Sequence, residues 1–343
     1  MKALRWYARK DLRYEDAPEP SPGPGQIKVK ISLAGICGTD LKEYTDGPVM
    51  IDPTKVPLIL GHEFVGRVAA LGEGVANFKV GERIAAVGYW YCGECYYCKR
   101  AMYNICANAG FTGLTSDGCM AEYMVIPSYA AYKLPDSVSD EFGALVEPLS
   151  VALHAVRQGN VRPGDNVAIM GAGTIGLSVL LAARAAGATN IYVVDKVKGR
   201  GELALAMGAT AFINPEGEDP EKRVKDLTDG LGVDISFECV GVQATAQLAQ
   251  KLARNGGTIV IVGVFASPPL VDLFDLMFHQ KTIMGSPIYV HEAETVIALL
   301  ANKRIDPGRL ITSIVHLKDA VEKGFKQLIK DQEHEVKILL QVT

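Results

Sequence analysis

The 343 residues, 48% of them hydrophobic, suffice for two domains of ordinary size, each with its own core. No apolar run reaches the roughly 18 residues of a membrane span, and a net charge of −4 with both signs interspersed offers no basic face for nucleic acid. Seven cysteines, four of them within fifteen positions, behind an N-terminus with no secretion-signal pattern, favour metal binding in a reducing compartment over a disulfide framework. A soluble, cytoplasmic protein is the expectation.

Residues 1 to about 35 alternate apolar and polar, as in Ile27-Lys28-Val29-Lys30-Ile31, and are broken by Pro18, Pro20, Pro22 and Pro24. Proline removes a backbone donor, so the proline stretch is a loop between strands. Short strand signals and turn glycines, such as Val80-Gly81-Glu82-Arg83-Ile84, continue to about residue 135. The pattern predicts an irregular β-rich domain, a partly closed barrel.

That region carries two sets of metal-ligand residues. Cys37-Gly38-Thr39-Asp40 and Gly61-His62-Glu63-Phe64 offer a thiolate, an imidazole and a carboxylate, and Glu147-Pro148 offers a further carboxylate. Soft and hard ligands from separate places suit a metal site with an open position for substrate. The second set is Cys92-x2-Cys95-x2-Cys98-x7-Cys106, a spacing that wraps one tetrahedral ion. Four thiolates with no open position make a closed, structural zinc site, with an iron–sulfur cluster as the competing reading. Cys119 and Cys239 fit neither set and read as small buried residues.

From about residue 150 strands alternate with helices. The strand Asn166 to Met170 runs into Gly171-Ala172-Gly173-Thr174-Ile175-Gly176, a helix follows to Gly187, and a second strand, Asn190 to Val194, ends at Asp195. A G-x-G-x-x-G that follows a strand, opens a helix and is answered by an acid nineteen residues beyond its last glycine is a dinucleotide-binding fingerprint in its required setting. The glycines let the backbone approach a pyrophosphate, and the helix N-terminus supplies free N–H groups to hold it. Asp195 can accept hydrogen bonds from a ribose diol and repels a 2′-phosphate, which favours NAD(H) over NADP. The neighbouring Lys196, Lys198 and Arg200 soften that preference, and Arg200 joins the residues expected around the cofactor.

Further units follow: strands at 210–214, 233–239, 258–264 and 282–286, and helices at 219–229 and 242–254. Six parallel strands with covering helices make a doubly wound sheet. The remainder, a helix at 291–302, a strand at 312–316, a helix at 318–330 and a strand at 336–341, is expected to rejoin the first domain. The expected division is 1–150 with 288–343, and 151–287 between them.

Taken together these motifs resemble the zinc-dependent medium-chain dehydrogenase/reductase superfamily over the whole chain. Glu43-Tyr44-Thr45-Asp46-Gly47-Pro48, Gly61-His62-Glu63-Phe64 and Glu147-Pro148-Leu149-Ser150 are most similar to its polyol branch, which includes 2,3-butanediol, sorbitol and threonine dehydrogenases. The resemblance implies a GroES-like catalytic domain with a Rossmann domain. It implies catalytic zinc at Cys37, His62 and Glu63, with Glu147 as ligand or as partner of the zinc-bound water. It also implies a structural zinc at Cys92, Cys95, Cys98 and Cys106, a small alcohol or diol as substrate, and a homodimer or homotetramer paired through nucleotide-domain sheet edges.

The hydroxyl of Thr39 is expected to pass on the substrate proton, the alternative being a helix cap. Relatives carry histidine five residues after the cysteine ligand, where this chain has Lys42, a poor shuttle near neutrality. The relay then ends in water or the cofactor ribose. His154, His279 and His291 read as helix or interface residues, and Tyr44 and Phe111 as pocket or core. A zinc-stabilised dinucleotide-binding protein without turnover is the reading from another class.

Overall fold

Gln26–Gly35 shows how the sequence alternation works in three dimensions. Ile27, Val29 and Ile31 are fully buried while Lys28 and Lys30 take the outer face. In the computed structural model, which describes all 343 residues, this strand pairs antiparallel with Glu63–Leu71, Tyr123–Pro127 and Lys337–Gln341. Lys337–Gln341 also pairs parallel with Ile311–His316, so the end of the chain lies in a sheet built mainly by its first third. The register sets Glu63 opposite Gly35. A Cβ at Gly35 would strike the Glu63 carboxylate, so the glycine makes the room in which that acid is buried.

The second large sheet is six-stranded and parallel, in the order Ala211–Ile213, Asn190–Val194, Asn166–Met170, Val233–Glu238, Ala253–Ile261, Thr282–Gly285. The strand order reverses between Asn166–Met170 and Val233–Glu238, and a crevice opens there at the carboxyl ends. Thr174–Ala186 closes on Gly187 at φ 102, a left-handed cap that costs glycine little. Pro220–Leu227 starts behind Asp219, whose carboxylate accepts the Glu221 N–H, with proline at the first helical position. No helix is long and apolar enough to cross a membrane.

Several elements depart from the sequence pattern. Ala253–Ile261 begins five residues earlier than expected, because Ala253 pairs with Val233 before the strand passes through an irregular stretch containing Gly256, at φ 70. Lys198–Ala206 and Leu273–Phe278 are helices that the pattern missed: two glycines hide the first, and the second is a six-residue turn. The helix expected over 318–330 is three pieces: a 3-10 turn, Leu317–Asp319, a π turn, Ala320–Phe325, and an α turn, Lys326–Lys330. The widened π turn turns Ala320, Gly324 and Phe325 all into the core.

Val146–Gln158 is the helix that joins the two sheets. It is buried on nearly every side until Arg157 and Gln158 at its end, and Glu147, Ser150 and His154 are buried with its apolar residues. Its Pro148 sits in the first turn, where no N–H is needed. The largest apolar cluster runs from Leu33 and Val65 of the first sheet through Leu149 and Leu153 to Val167, Ile169 and Phe237 of the second.

Candidate active site

Cys37 is the N-cap of the helix Gly38–Asp46, in extended backbone, and its N–H donates to Asp40 Oδ2 at 2.9 Å. That local capping box fixes Asp40, fully buried, with its other oxygen facing His62 Nδ1 at 4.0 Å. The gap exceeds a hydrogen bond, and neither atom has another partner. Thr39 is not the helix cap; it lies in the first turn and lines the cavity.

Glu63 is buried and paired with Lys337, whose Nζ also donates to Ile36 O at 2.9 Å. One thiol, one imidazole nitrogen and one carboxylate oxygen, from Cys37, His62 and Glu63, all lie within 4.8 Å of one another. Zinc held by arms of about 2.0–2.3 Å sets its ligands roughly 3.5 Å apart, so a small inward movement closes this group on one ion. Glu147, in the first turn of Val146–Gln158, lines the same cavity but stands outside that group.

The electrostatics follow from burial. Burial pulls the His62 imidazole down, but the Cys37 and Asp40 charges outweigh it and hold the ring well above its ordinary value. Burial pushes the Glu147 carboxyl up to about 7, against the pull of His62 and with the push of Glu63. A cation placed among these groups relieves the crowding of acids.

In the second set, Cys92 Sγ lies 3.5 Å from Cys106 Sγ and 4.0 Å from Cys98 Sγ, and Cys95 Sγ 3.9 Å from Cys106 Sγ. Those separations are too long for a disulfide and close to the roughly 3.8 Å edge of a tetrahedron with 2.3 Å zinc–sulfur bonds. Backbone N–H groups point at the sulfurs, from Cys95 to Cys92 at 3.4 Å and from Cys98 to Cys95 at 3.5 Å. Such donors, with those of Cys98 and Ala107 foremost, bring the Cys95 thiol down to about 6. Cys119 is fully buried as expected, whereas Cys239 is only half-buried.

At the nucleotide crevice Gly171 has φ 97, and a Cβ on Gly176 would run into the Gly171 carbonyl. Asp195 Oδ2 accepts the Ala172 N–H at 2.6 Å and Oδ1 that of Val197 at 2.8 Å, so the acid holds the glycine turn itself. Gly173 caps the following helix. Thr174 spends its hydroxyl on Val336 O at 3.1 Å, Ile175 lines the cavity beside Cys37, and Arg200 turns to Glu335 O at 3.4 Å. Lys196 and Lys198 are exposed.

A cavity of about 430 Å³ joins crevice and metal-ligand group, with Cys37, Thr39, His62 and Glu147 on one side and Val262, Val264, Ser286 and Ile288, at and beyond the strand ends, on the other. Phe111 lines it, but Tyr44 does not: its ring packs edge-on against Phe325 at 5.5 Å. Of the histidines expected at helices or interfaces, His154 is buried and meets Glu292 Oε1 at 3.2 Å, and His279 meets Asp275 at 2.7 Å. Asp40, Lys337, Tyr289 and Ser286 escaped the sequence reading. Asp40 alone had a signal, the acid three residues after an N-cap.

A nucleotide crevice opening onto a buried thiol–imidazole–carboxylate group defines a metal-dependent dehydrogenase. The chain belongs to the zinc-dependent alcohol and polyol dehydrogenase family. Residues 23–136 match its alcohol dehydrogenase GroES-like domain, and residues 174–302 its zinc-binding dehydrogenase domain. The chain is 36% identical to the (R,R)-butanediol dehydrogenase of Bacillus subtilis over 99% of both chains, and 34% identical to that organism's sorbitol dehydrogenase over 95% of this chain and 94% of the relative. The crystal structure of 2R,3R-butanediol dehydrogenase from Bacillus subtilis superposes with a TM-score of 0.92 at 36% identity, covering 100% of this chain and 99% of that one.

Proposed function

We propose that this protein oxidises a small, uncharged secondary alcohol or vicinal diol with NAD as acceptor, 2,3-butanediol and acetoin being the first pair to test. The observation that carries this is the convergence of Cys37, His62 and buried Glu63 on one point, with Cys37 and His62 on the floor of a cavity whose opposite wall is the mouth of the nucleotide crevice. Cys37, His62 and Glu63 would hold a catalytic zinc, with Glu147 completing the site directly or through water. When bound, zinc supplies the Lewis-acid charge that lets a weakly acidic hydroxyl ionise, and the nicotinamide supplies the hydride acceptor.

The chain's own groups do the rest. Thr39 places its hydroxyl in the cavity to take the substrate proton. Lys42 Nζ reaches across the crevice to Val264 O at 3.3 Å, which ties the two walls rather than extending a relay. Apart from Glu147 the cavity wall has no Lys, Arg, Asp or Glu, while Met50, Phe111, Leu114 and Ile288 make apolar flanks. A substrate carboxylate would be buried there without a Lys or Arg to meet it, which disfavours threonine. Beyond Thr39 and Glu147 at the reacting end, a long polyol would have few polar side chains, such as Asn104, Thr112 and Ser286, for its several hydroxyls, which disfavours sorbitol.

Asp195 supports NAD over NADP. The four-cysteine lobe would hold a second, structural zinc. The catalytic domain would comprise 1–150 and 288–343, with the NAD-binding domain between. Leu270, Leu273, Phe274, Met277 and Phe278 are exposed beside the edge strand Thr282–Gly285, a surface suited to pairing two subunits. NADH formation against 2,3-butanediol, sorbitol and L-threonine, with and without a chelator, tests the reading. Highest kcat/KM for butanediol, lost on chelation, is expected; a preference for threonine or for sorbitol would overturn the substrate assignment.

A further inference from the structure

Glu43 has no place in the chemistry above, yet it is fully buried, on the helix whose start presents Cys37 and Thr39. The chain leaves that helix at Gly47 and runs to Met50, which flanks the cavity. Every backbone N–H in this stretch goes to Glu43. The Gly47 N–H donates to its carbonyl at 3.0 Å, that of Val49 to Oε2 at 2.9 Å and that of Met50 to Oε1 at 2.5 Å. Pro48 has none to give. A Cβ added to Gly47 would come within 2.7 Å of Oε2, so the turn closes tightly on the acid.

Both ends of the stretch are anchored independently. Trp6 Nε1 donates to the same Glu43 carbonyl at 3.1 Å, which fixes the end of the helix. Beyond Met50, Ile51 is buried in the apolar cluster around the first sheet, and the Asp52 N–H donates at 3.1 Å to the carbonyl of Leu114, itself a cavity residue. Between these ends Val49 and Met50 are 47% and 43% exposed, so packing does little to place them. The Glu43 carboxylate does, one oxygen to each N–H. An amide in its place accepts at one atom only and turns a donor toward the other N–H.

We propose that Glu43 is a positioning residue for substrate size: by gripping the Val49 and Met50 N–H groups it fixes Met50 as the wall that limits how long a substrate arm fits beside Cys37 and Thr39. Glu43 does not line the cavity and acts only through Met50. The inference rests on this cavity being the substrate site.

The test is a double-mutant cycle on the zinc-loaded enzyme, with parent, Met50→Ala, Glu43→Gln and the double variant. It reads kcat/KM for 3,4-hexanediol relative to 2,3-butanediol, two diols that differ by one methylene at each end. Met50→Ala opens the wall and is expected to raise this ratio by about tenfold or more. Glu43→Gln should raise it in the same direction with Met50 still present, through KM rather than kcat, and the double variant should gain little beyond Met50→Ala alone. A ratio unmoved in Glu43→Gln but raised in Met50→Ala would overturn the inference and leave the substrate site standing, as would effects that simply multiply in the double variant. No shift in Met50→Ala would overturn the placement of the substrate against this wall, and the inference with it. A lower melting temperature in Glu43→Gln with the ratio unchanged would assign the acid to folding alone, which also overturns the proposal. Glu43→Asp, which keeps the carboxylate but shortens its reach, takes the place of Glu43→Gln should that variant not fold, with the same expected shift.

Discussion

Lys337→Met removes the ammonium that faces Glu63, and both side chains are only 1% exposed. Taking away one partner of such a pair leaves the other charge buried and uncompensated, at a cost of about 3–5 kcal/mol. The Ile36 carbonyl loses its donor as well, for about another 1 kcal/mol. At roughly 2 °C per kcal/mol for a chain of this size, the metal-free protein should melt about 10 °C lower. With zinc at Cys37, His62 and Glu63 the ion supplies the missing positive charge, and the loss should shrink to about 3 °C. Thermal unfolding of metal-free and zinc-loaded protein, parent and variant, reads the difference. Burial pulls the Lys337 ammonium down, but Glu63 more than restores it, so its pKa is raised. Its stabilisation is therefore present at all pH below the ordinary 10.5 and lost only above the raised value, and measurements at pH 7–9 are free of its titration. Equal losses in the two states would refute the idea that Lys337 and a metal share the Glu63 carboxylate.

Four further outcomes are expected. Thr39→Val should lower kcat by about 100-fold or more through loss of the proton acceptor, whereas Lys42→Ala should change it only slightly; similar losses in steady-state assays would remove the distinction. Asp195→Ala should shift the NAD-to-NADP ratio of kcat/KM by about tenfold or more toward NADP, since one like charge beside a phosphate is worth about 1–2 kcal/mol. Cys95→Ser should lower bound zinc from two to one per subunit by metal analysis, with the remaining ion still supporting turnover in whatever protein stays folded. Glu292→Gln tests a pH window. Burial pushes that carboxyl up, but His154, the Val290 N–H and Arg157 bring it down to about 2, so its stabilisation, at most about 3 kcal/mol, is full above the ordinary 4.5 and fades as pH falls through 2. The melting gap between parent and variant should be full at pH 5 and shrink as the pH falls below 4.

The parts of the fold that were legible share a cause. Asn166–Met170 and Asn190–Val194 stand where the pattern puts them because a strand buried on both faces must be apolar throughout, and turn glycines mark its ends. Val146–Gln158 went unread because Glu147, Pro148, Ser150 and His154 interrupt its apolar residues, although all four are buried in the fold. Tyr44 and Phe111 could not be told apart in the sequence, since an aromatic in a β-rich domain fits core and cavity wall equally well.

The sequence alone determined what is set by short stretches of chain: the four-cysteine loop, whose span of fifteen residues brings its sulfurs together, and the glycine turn with its answering acid. It could not determine pairings closed by the tertiary fold, where chain separation carries no distance information. Lys337 meets Glu63 across 274 residues, and Tyr289 meets Gly88 across 201. Only sheet register and the packing of the central helix decide that a lysine from the last strand balances a buried acid, and that a tyrosine beyond the nucleotide sheet stands behind the metal-ligand residues.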